Sequence, residues 1–323
     1  MRRAVVAFSA ILLATAGAAQ AQTPYAECDQ ALITVDPQNV NICNAAIDGA
    51  NIFHPVAGLL VSGGNPVLGS TRMLGGLGHF SFTIRANATK VRTPDLDYDG
   101  TGTTVPQDDD IVAPAPLVEA AIGLYKGMNG FLAIDLLGSA QLLPTDQIDN
   151  LRIDDDARKI GDIALGLGYG ARVGVFQGRA IIPSVNVSIM RRDIPRITIG
   201  DLGNGDEYSY GVNLKATNLR AVAGYHLGFF DIGAGIGYDK YTGDAHIEFQ
   251  DQTLPGQTLA VDTDLDNSRT MAFLTGGFDF PIIKIGFEAG YQLGKDQKMK
   301  TTFEGNDPAD NRLFAGAGIR IAF

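Results

Sequence analysis

Chemistry in this chain would have to come from few side chains. Only four histidines occur, His54, His79, His226 and His246, and a hydrolytic site needs a nucleophile or an activated water beside such a base. His246 has Asp244 and Glu248 close by in sequence but no serine partner, so the histidines predict no catalytic site. The acidic runs point elsewhere. Asp95-Leu96-Asp97-Tyr98-Asp99-Gly100 sets carboxylates at alternate positions and a glycine at the sixth, the opening spacing of a calcium-binding loop. Asp95, Asp97 and Asp99 are therefore candidate Ca2+ ligands, although the twelfth position is Pro106 where such a loop carries a bidentate glutamate. Cys28 and Cys43, the only cysteines, predict a structural disulfide, because no histidine lies between them to complete a metal site. Closing a loop of about 15 residues contributes about 3 kcal/mol.

The elements that must carry these residues are written in a period of two. In the final stretch Leu313, Ala315, Ala317, Ile319, Ile321 and Phe323 alternate with Gly316, Gly318 and Arg320, giving a strand with one apolar face. The same alternation recurs at Phe80 to Ala88, Val118 to Leu124, Leu132 to Leu136, Ile163 to Val175, Ile181 to Ile189, Phe230 to Tyr238, Thr270 to Phe280 and Ile283 to Leu293. Residues 206–228 carry Tyr208, Tyr210, Val212 and Leu214, then change parity to Leu219, Ala221, Ala223, Tyr225 and Leu227, which predicts a bulge near Thr217-Asn218. The total is ten strands, with twelve as the alternative if residues 22–77 supply two more. Short turns at 126–130, 177–179, 228–229 and 281–282 alternate with long connectors at 93–115, 145–158, 195–206, about 250–268 and 296–311.

Two-sided strands with short turns at one end and long loops at the other describe a transmembrane, antiparallel, up-and-down β-barrel. Arg2 and Arg3, the apolar run Ala4 to Ala18 and the small-x-small Ala19-Gln20-Ala21 read as a signal peptide over residues 1–21, which implies export across the inner membrane. Residues 22–77 follow as a cap, a lumenal plug or added strands, with Pro55 and Pro66 arguing against a strand ladder. Residues 78–323 form the barrel. The charge argues against nucleic acid as a partner: it is −11 overall and −13 once Arg2 and Arg3 are removed.

In this register Arg85, Glu119, Asp135, Asp162, Arg172, Arg220, Asp231, Asp279, Lys284, Glu288 and Arg320 face the lumen, with Asp279 and Lys284 placed to pair across their turn. Many glycines face it too, from Gly166 to Gly318, leaving room for the N-terminal segment, a ligand or water. In a narrow barrel the charges neutralise one another as a network; in a wide one they set ion selectivity. The acidic loops, including Asp108-Asp109-Asp110, Asp154-Asp155-Asp156 and Asp262, Asp264 and Asp266, are either solvated tips or divalent-ion bridges to lipopolysaccharide.

With period, turns and Phe323 in place, the chain resembles the uncharacterised outer-membrane β-barrel families of Gram-negative bacteria. That resemblance implies a C-terminal strand read by the barrel-assembly machinery and a bilayer as partner. Asn65-Pro66-Val67-Leu68 is similar to the hatch of the outer-membrane long-chain fatty-acid transporter family, which implies passage of a small molecule. Two functions follow as expectations. The first is a small-molecule channel or transporter with a Gly-lined polar lumen. The second is a closed structural or surface-interaction barrel that works through its acidic loops.

Overall fold

The computed structural model describes residues 23–144, 151–153, 157–160, 163–178 and 182–323. Ten strands run in chain order: β1 Phe80–Pro94, β2 Gln107–Tyr125, β3 Ala133–Pro144, β4 Ile163–Phe176, β5 Ser184–Ile199, β6 Tyr208–Leu227, β7 Phe230–Gln250, β8 Thr258–Asp279, β9 Ile283–Gln292 and β10 Arg312–Ala322. Each pairs antiparallel with the next, and β1 closes on β10 from Ser81 opposite Ala322 to Thr89 opposite Phe314. Closure removes every sheet edge, as a hydrocarbon surround requires. The twelve-stranded alternative is not the closed ring: two further short strands, Leu151–Ile153 and Lys159–Ile160, only extend β5 and β4 locally. The reading of residues 1–21, and Asp162 and Asp154-Asp155-Asp156, lie outside the described residues.

The outward face has two zones. From the short-turn end up to Leu219, Tyr238, Leu274, Tyr291 and Leu313 it is exposed and apolar. Above that it carries Lys215, Asp244, His246, Glu248, Asp262, Asp264 and Asp266. About 9 to 11 residues per strand cross a bilayer. Strands β6, β7 and β8, at 20, 21 and 22 residues, therefore rise well beyond one. This corrects the loop assignments: Asp108 to Asp110 belong to β2, and Asp262, Asp264 and Asp266 to β8, because a strand above the bilayer no longer needs an apolar outer face.

The parity change in residues 206–228 also has a different cause from the expected bulge. Strand β6 pairs with β7 without a register shift from Leu227 to Tyr208. Tyr208, Tyr210, Val212 and Leu214 are buried and face inward, so the apolar residues change sides while the strand stays regular. Above the bilayer the inside needs the apolar side chains, and something must pack on them.

That something is α1, Pro37–Ser62. Asp36 caps it by accepting the Gln38 N–H at 2.8 Å, Pro37 occupies its first turn, and Gly63, at φ 57°, ends it. Among the described residues it is the one helix long and apolar enough to cross a membrane, yet most of that apolar stretch is buried inside the protein. A helix suits an enclosed segment because it satisfies its own backbone, apart from the N–H that Pro55 lacks.

Candidate functional site

The interior of the barrel is occupied by α1 and by the chain that follows it down to Leu74. At the long-loop end, Ile42, Ile47 and Ala50 of α1 pack on Tyr208, Tyr210, Ile247 and Phe249 of β6 and β7, with Leu96, Val105 and Phe303 from the connectors closing over them. The Cys28–Cys43 disulfide lies buried within this core, so the chain ahead of α1 is pinned onto the helix. Two short strands, Thr104–Val105 and Thr302–Phe303, pair in parallel above it and join the connectors β1–β2 and β9–β10.

Asp48 ties the same connector to the helix. Its carboxylate accepts the Tyr25 hydroxyl at 2.5 Å, the N–H groups of Lys300 and Thr301 at 2.8 and 2.7 Å, and the Thr301 hydroxyl at 2.7 Å. Burial pushes this carboxyl above its ordinary range, and the four donors oppose that push. Asp48→Ala is expected to leave those amides unpartnered and to free residues 296–311. Hydrogen exchange at 298–303 should rise at least tenfold, and unchanged protection there would contradict this role.

Half-way down, a ring of wall charges grips the end of the helix. Glu288 accepts the N–H of Gly64 and of Asn65, each at 2.8 Å. Arg85 pairs with Glu288 and donates to the Asn65 carbonyl at 2.9 Å. From the opposite wall Arg220 donates to the Gly63 and Gly64 carbonyls at 2.9 and 3.0 Å and pairs with Asp239 at 2.6 Å. Asn87 holds the Leu60 carbonyl at 2.7 Å, and Asn218 holds the Ser62 hydroxyl at 2.9 Å. Glu119 lies 3.4 Å from Arg85 and 3.5 Å from Arg192. Three arginines face three carboxylates here, all buried, so these six charges balance, and Arg85, Arg220 and Glu288 turn further hydrogen bonds to the plug backbone; Arg269 stands opposite Asp239 in register as a seventh buried charge.

Below the ring, glycines of the wall make room for the descending chain. An added Cβ at Gly286 would lie 2.8 Å from Leu68, and one at Gly277 2.7 Å from the Gly69 carbonyl. Gly69 is the tightest point: at φ +67° its own added Cβ would meet Gly286 Cα at 2.7 Å and the Gly276 carbonyl at 2.8 Å, both backbone. Gly69→Ala is expected to cost about 1–3 kcal/mol through this strain. A shifted urea midpoint for the folded barrel would show it, and an unchanged midpoint would mean the chain does not run this closely. Lower still, Asn186 and Ser184 bond to Thr71, and Asp135 pairs with Arg172 at 2.6 Å while accepting the Leu74 N–H at 3.3 Å.

The residues expected to face the lumen sort into three groups. Arg85, Glu119, Arg220 and Glu288 form the ring; Asp135 and Arg172 sit beneath it; Asp231, Asp279, Lys284 and Arg320 gather at the short-turn mouth. Lys284 lies 2.6 Å from Asp279. Arg192 and Arg269, also buried and inward, escaped the sequence reading because β5 and β8 extend past the bounds that alternation gave them.

The carboxylates of Asp95, Asp97 and Asp99 lie along one connector and are not gathered into a cluster. Asp95 accepts the Asp97 N–H at 3.0 Å and Asp99 the Thr101 N–H at 2.9 Å, the latter holding the Asp99 carboxyl below its ordinary range. Asp95 and Asp99 are each used in a local turn, and among the described residues the three carboxylates are not drawn into one ligand set. His246 sits on the outer face beyond the bilayer zone, 2.8 Å from Asp262 and 3.7 Å from Glu248.

A ten-stranded closed wall with an apolar belt can be compared with known proteins. The chain is similar to outer-membrane β-barrels. No protein-family profile matches it, and no curated protein matches it in sequence. Among solved structures, the outer membrane protease OmpT from Escherichia coli shares 12% identity over 79% of this chain and 100% of that one, with a TM-score of 0.40. The translocator domain of autotransporter NalP from Neisseria meningitidis shares 13% over 90% and 99%, with a TM-score of 0.38. The P. putida toluene transporter TodX shares 10% over 76% and 89%, with a TM-score of 0.29. These barrels differ in activity, and no residue's role is drawn from them.

Proposed function

We propose that this chain is a bacterial outer-membrane β-barrel whose lumen is closed by its own N-terminal segment, and that it works at the cell surface through the platform built on that segment. The observation that carries this reading is the buried ring of Arg85, Glu119, Arg192, Arg220, Asp239 and Glu288, three of whose members, Arg85, Arg220 and Glu288, hydrogen-bond to the backbone of residues 63–65. A ring set to select ions would leave those groups facing water. The apolar belt supports membrane residence, with short turns toward the periplasm and the long connectors outside. The exposed acids above the belt, Asp262, Asp264, Asp266 and Glu248, then form a negative outer collar suited to basic partners or to divalent ions shared with lipopolysaccharide.

Purified protein, shown to be folded by its shifted mobility in unheated detergent gels, should insert into planar bilayers without conducting. Stable single-channel openings would refute the closed reading. One observation favours small-molecule passage instead: a cavity of about 470 Å³ between the outer end of β1 and the start of β10, which reaches from Lys90 and Leu313 to Val56 of α1. If that path carries cargo, uptake should fall when Val56 is replaced by Arg, with no change in conductance.

A further inference from the structure

We infer that His226, Asp231 and Asp279 form a binding site for one divalent transition-metal ion at the short-turn mouth of the barrel. His226 near the end of β6 stands opposite Asp231, the second residue of β7, across the Gly228-Phe229 turn, and Asp279 ends β8 beside them. Nδ1 of His226 lies 3.4 Å from Oδ1 of Asp231 and 4.0 Å from Oδ2 of Asp279. One ligand atom from each of the three falls within 4.8 Å of the others.

The second observation is Asp231 itself. It is fully buried, and neither carboxylate oxygen has a hydrogen-bond donor. Nδ1 of His226 and Oδ1 of Asp279 also have no hydrogen-bond partner, Arg320 standing 4.0 Å from that oxygen. Cations do stand nearby, but on Asp279: Lys284 at 2.6 Å, Arg72 at 3.3 Å and Arg320 at 4.0 Å. Among the described residues no lysine or arginine nitrogen reaches Asp231 within 4.0 Å. A buried carboxylate in that position is costly unless a proton or a cation meets it. An imidazole and two carboxylates with ligand atoms within 4.8 Å of one another can close on a cation between them.

One nitrogen and two carboxylates suit Zn2+, Mn2+ or Fe2+, whereas Ca2+ and Mg2+ favour oxygen alone. A cavity of about 380 Å³ lined by Arg72, Gln177 and His226 gives entry from the short-turn side. The site stands whether or not the lumen conducts.

Zn2+ titrated calorimetrically into the folded protein in detergent should bind at one ion per chain. His226→Asn and the isosteric Asp231→Asn should each weaken binding at least tenfold, while His246→Ala leaves it unchanged. In the His246→Ala protein, zinc-edge X-ray absorption should show an imidazole ligand, a readout that needs no change at the site. The proposal is overturned if the parent protein takes up neither Zn2+ nor Mn2+, if the two asparagine variants bind as tightly as the parent, if His246→Ala alone abolishes binding, or if the zinc shell holds oxygen only. Absence of uptake would assign Asp231 a proton in place of a metal.

Discussion

Glu288→Ala is expected to destabilise the folded barrel by about 3–5 kcal/mol and to give a silent protein intermittent conductance. The carboxylate does three things at once: it neutralises Arg85, and its two oxygens accept the Gly64 and Asn65 N–H groups. Removing it leaves a guanidinium with no exposed side-chain surface beside Glu119 alone, at 3.4 Å, and strands two buried amides. The chain at 63–65 then loses its hold on β9 while Arg220 still grips it from β6, so the plug should shift and not leave. Glu288→Gln keeps an acceptor for one amide but not the charge, and should fall between the two. Urea unfolding of the folded form and bilayer recording are the measurements. A midpoint within error of the parent, together with silence, would falsify the view that this ring locks the plug.

The wall was legible in the sequence because a bilayer imposes alternation on every strand that crosses it, and Ile163 to Val175 shows it cleanly. Legibility ended where the bilayer did. Tyr208, Tyr210 and Val212 keep the alternation of β6 but reverse its sense, since their apolar faces meet α1 and not lipid. The acidic strand residues Asp262, Asp264 and Asp266 looked like loop for the same reason. Helix α1 was harder still. Gly49, Gly58 and Pro55 are poor helix residues, and α1 is buried nearly all round because wall surrounds it, with Asn39, Asn44, Asp48 and His54 among its buried residues, so no single apolar stripe marks it. Gly49 and Gly58 have a packing reason visible only in three dimensions: Tyr210 and Tyr241 lie against them, and an added Cβ would sit 3.2 Å from the first ring and closer still to the second. Arg85, Glu119, Arg220 and Glu288 of the ring could be assigned to the lumen from parity, but not to the plug, because the plug partners of Arg85, Arg220 and Glu288 are backbone groups that carry no side-chain signature.

Deleting residues 37–78 is expected to have the largest effect, and to affect the two halves of the barrel differently. Near the bilayer the wall is held by its own closed ladder and by lipid on its apolar belt, neither of which needs the plug. That half should still form and should now conduct steadily, with Arg85, Arg220 and Glu288 released from their backbone partners and the whole charge ring turned to water. Above the bilayer there is no lipid, and the apolar side chains of β6, β7 and β8 point inward at a helix that is gone. Tyr208, Tyr210, Val212, Ile247, Phe249, Val261 and Leu265 would then line a water-filled cup. Burying a side chain of this kind contributes about 1.5–3 kcal/mol, so the upper hairpins lose most of what orders them. Limited proteolysis should therefore cut the deletion variant between 240 and 265 while the lower strands stay protected, whereas the parent resists at the same sites. An outer half that stays protease-resistant without its helix would mean the long strands stand by themselves, and the plug would then be cargo of the barrel and not its upper core.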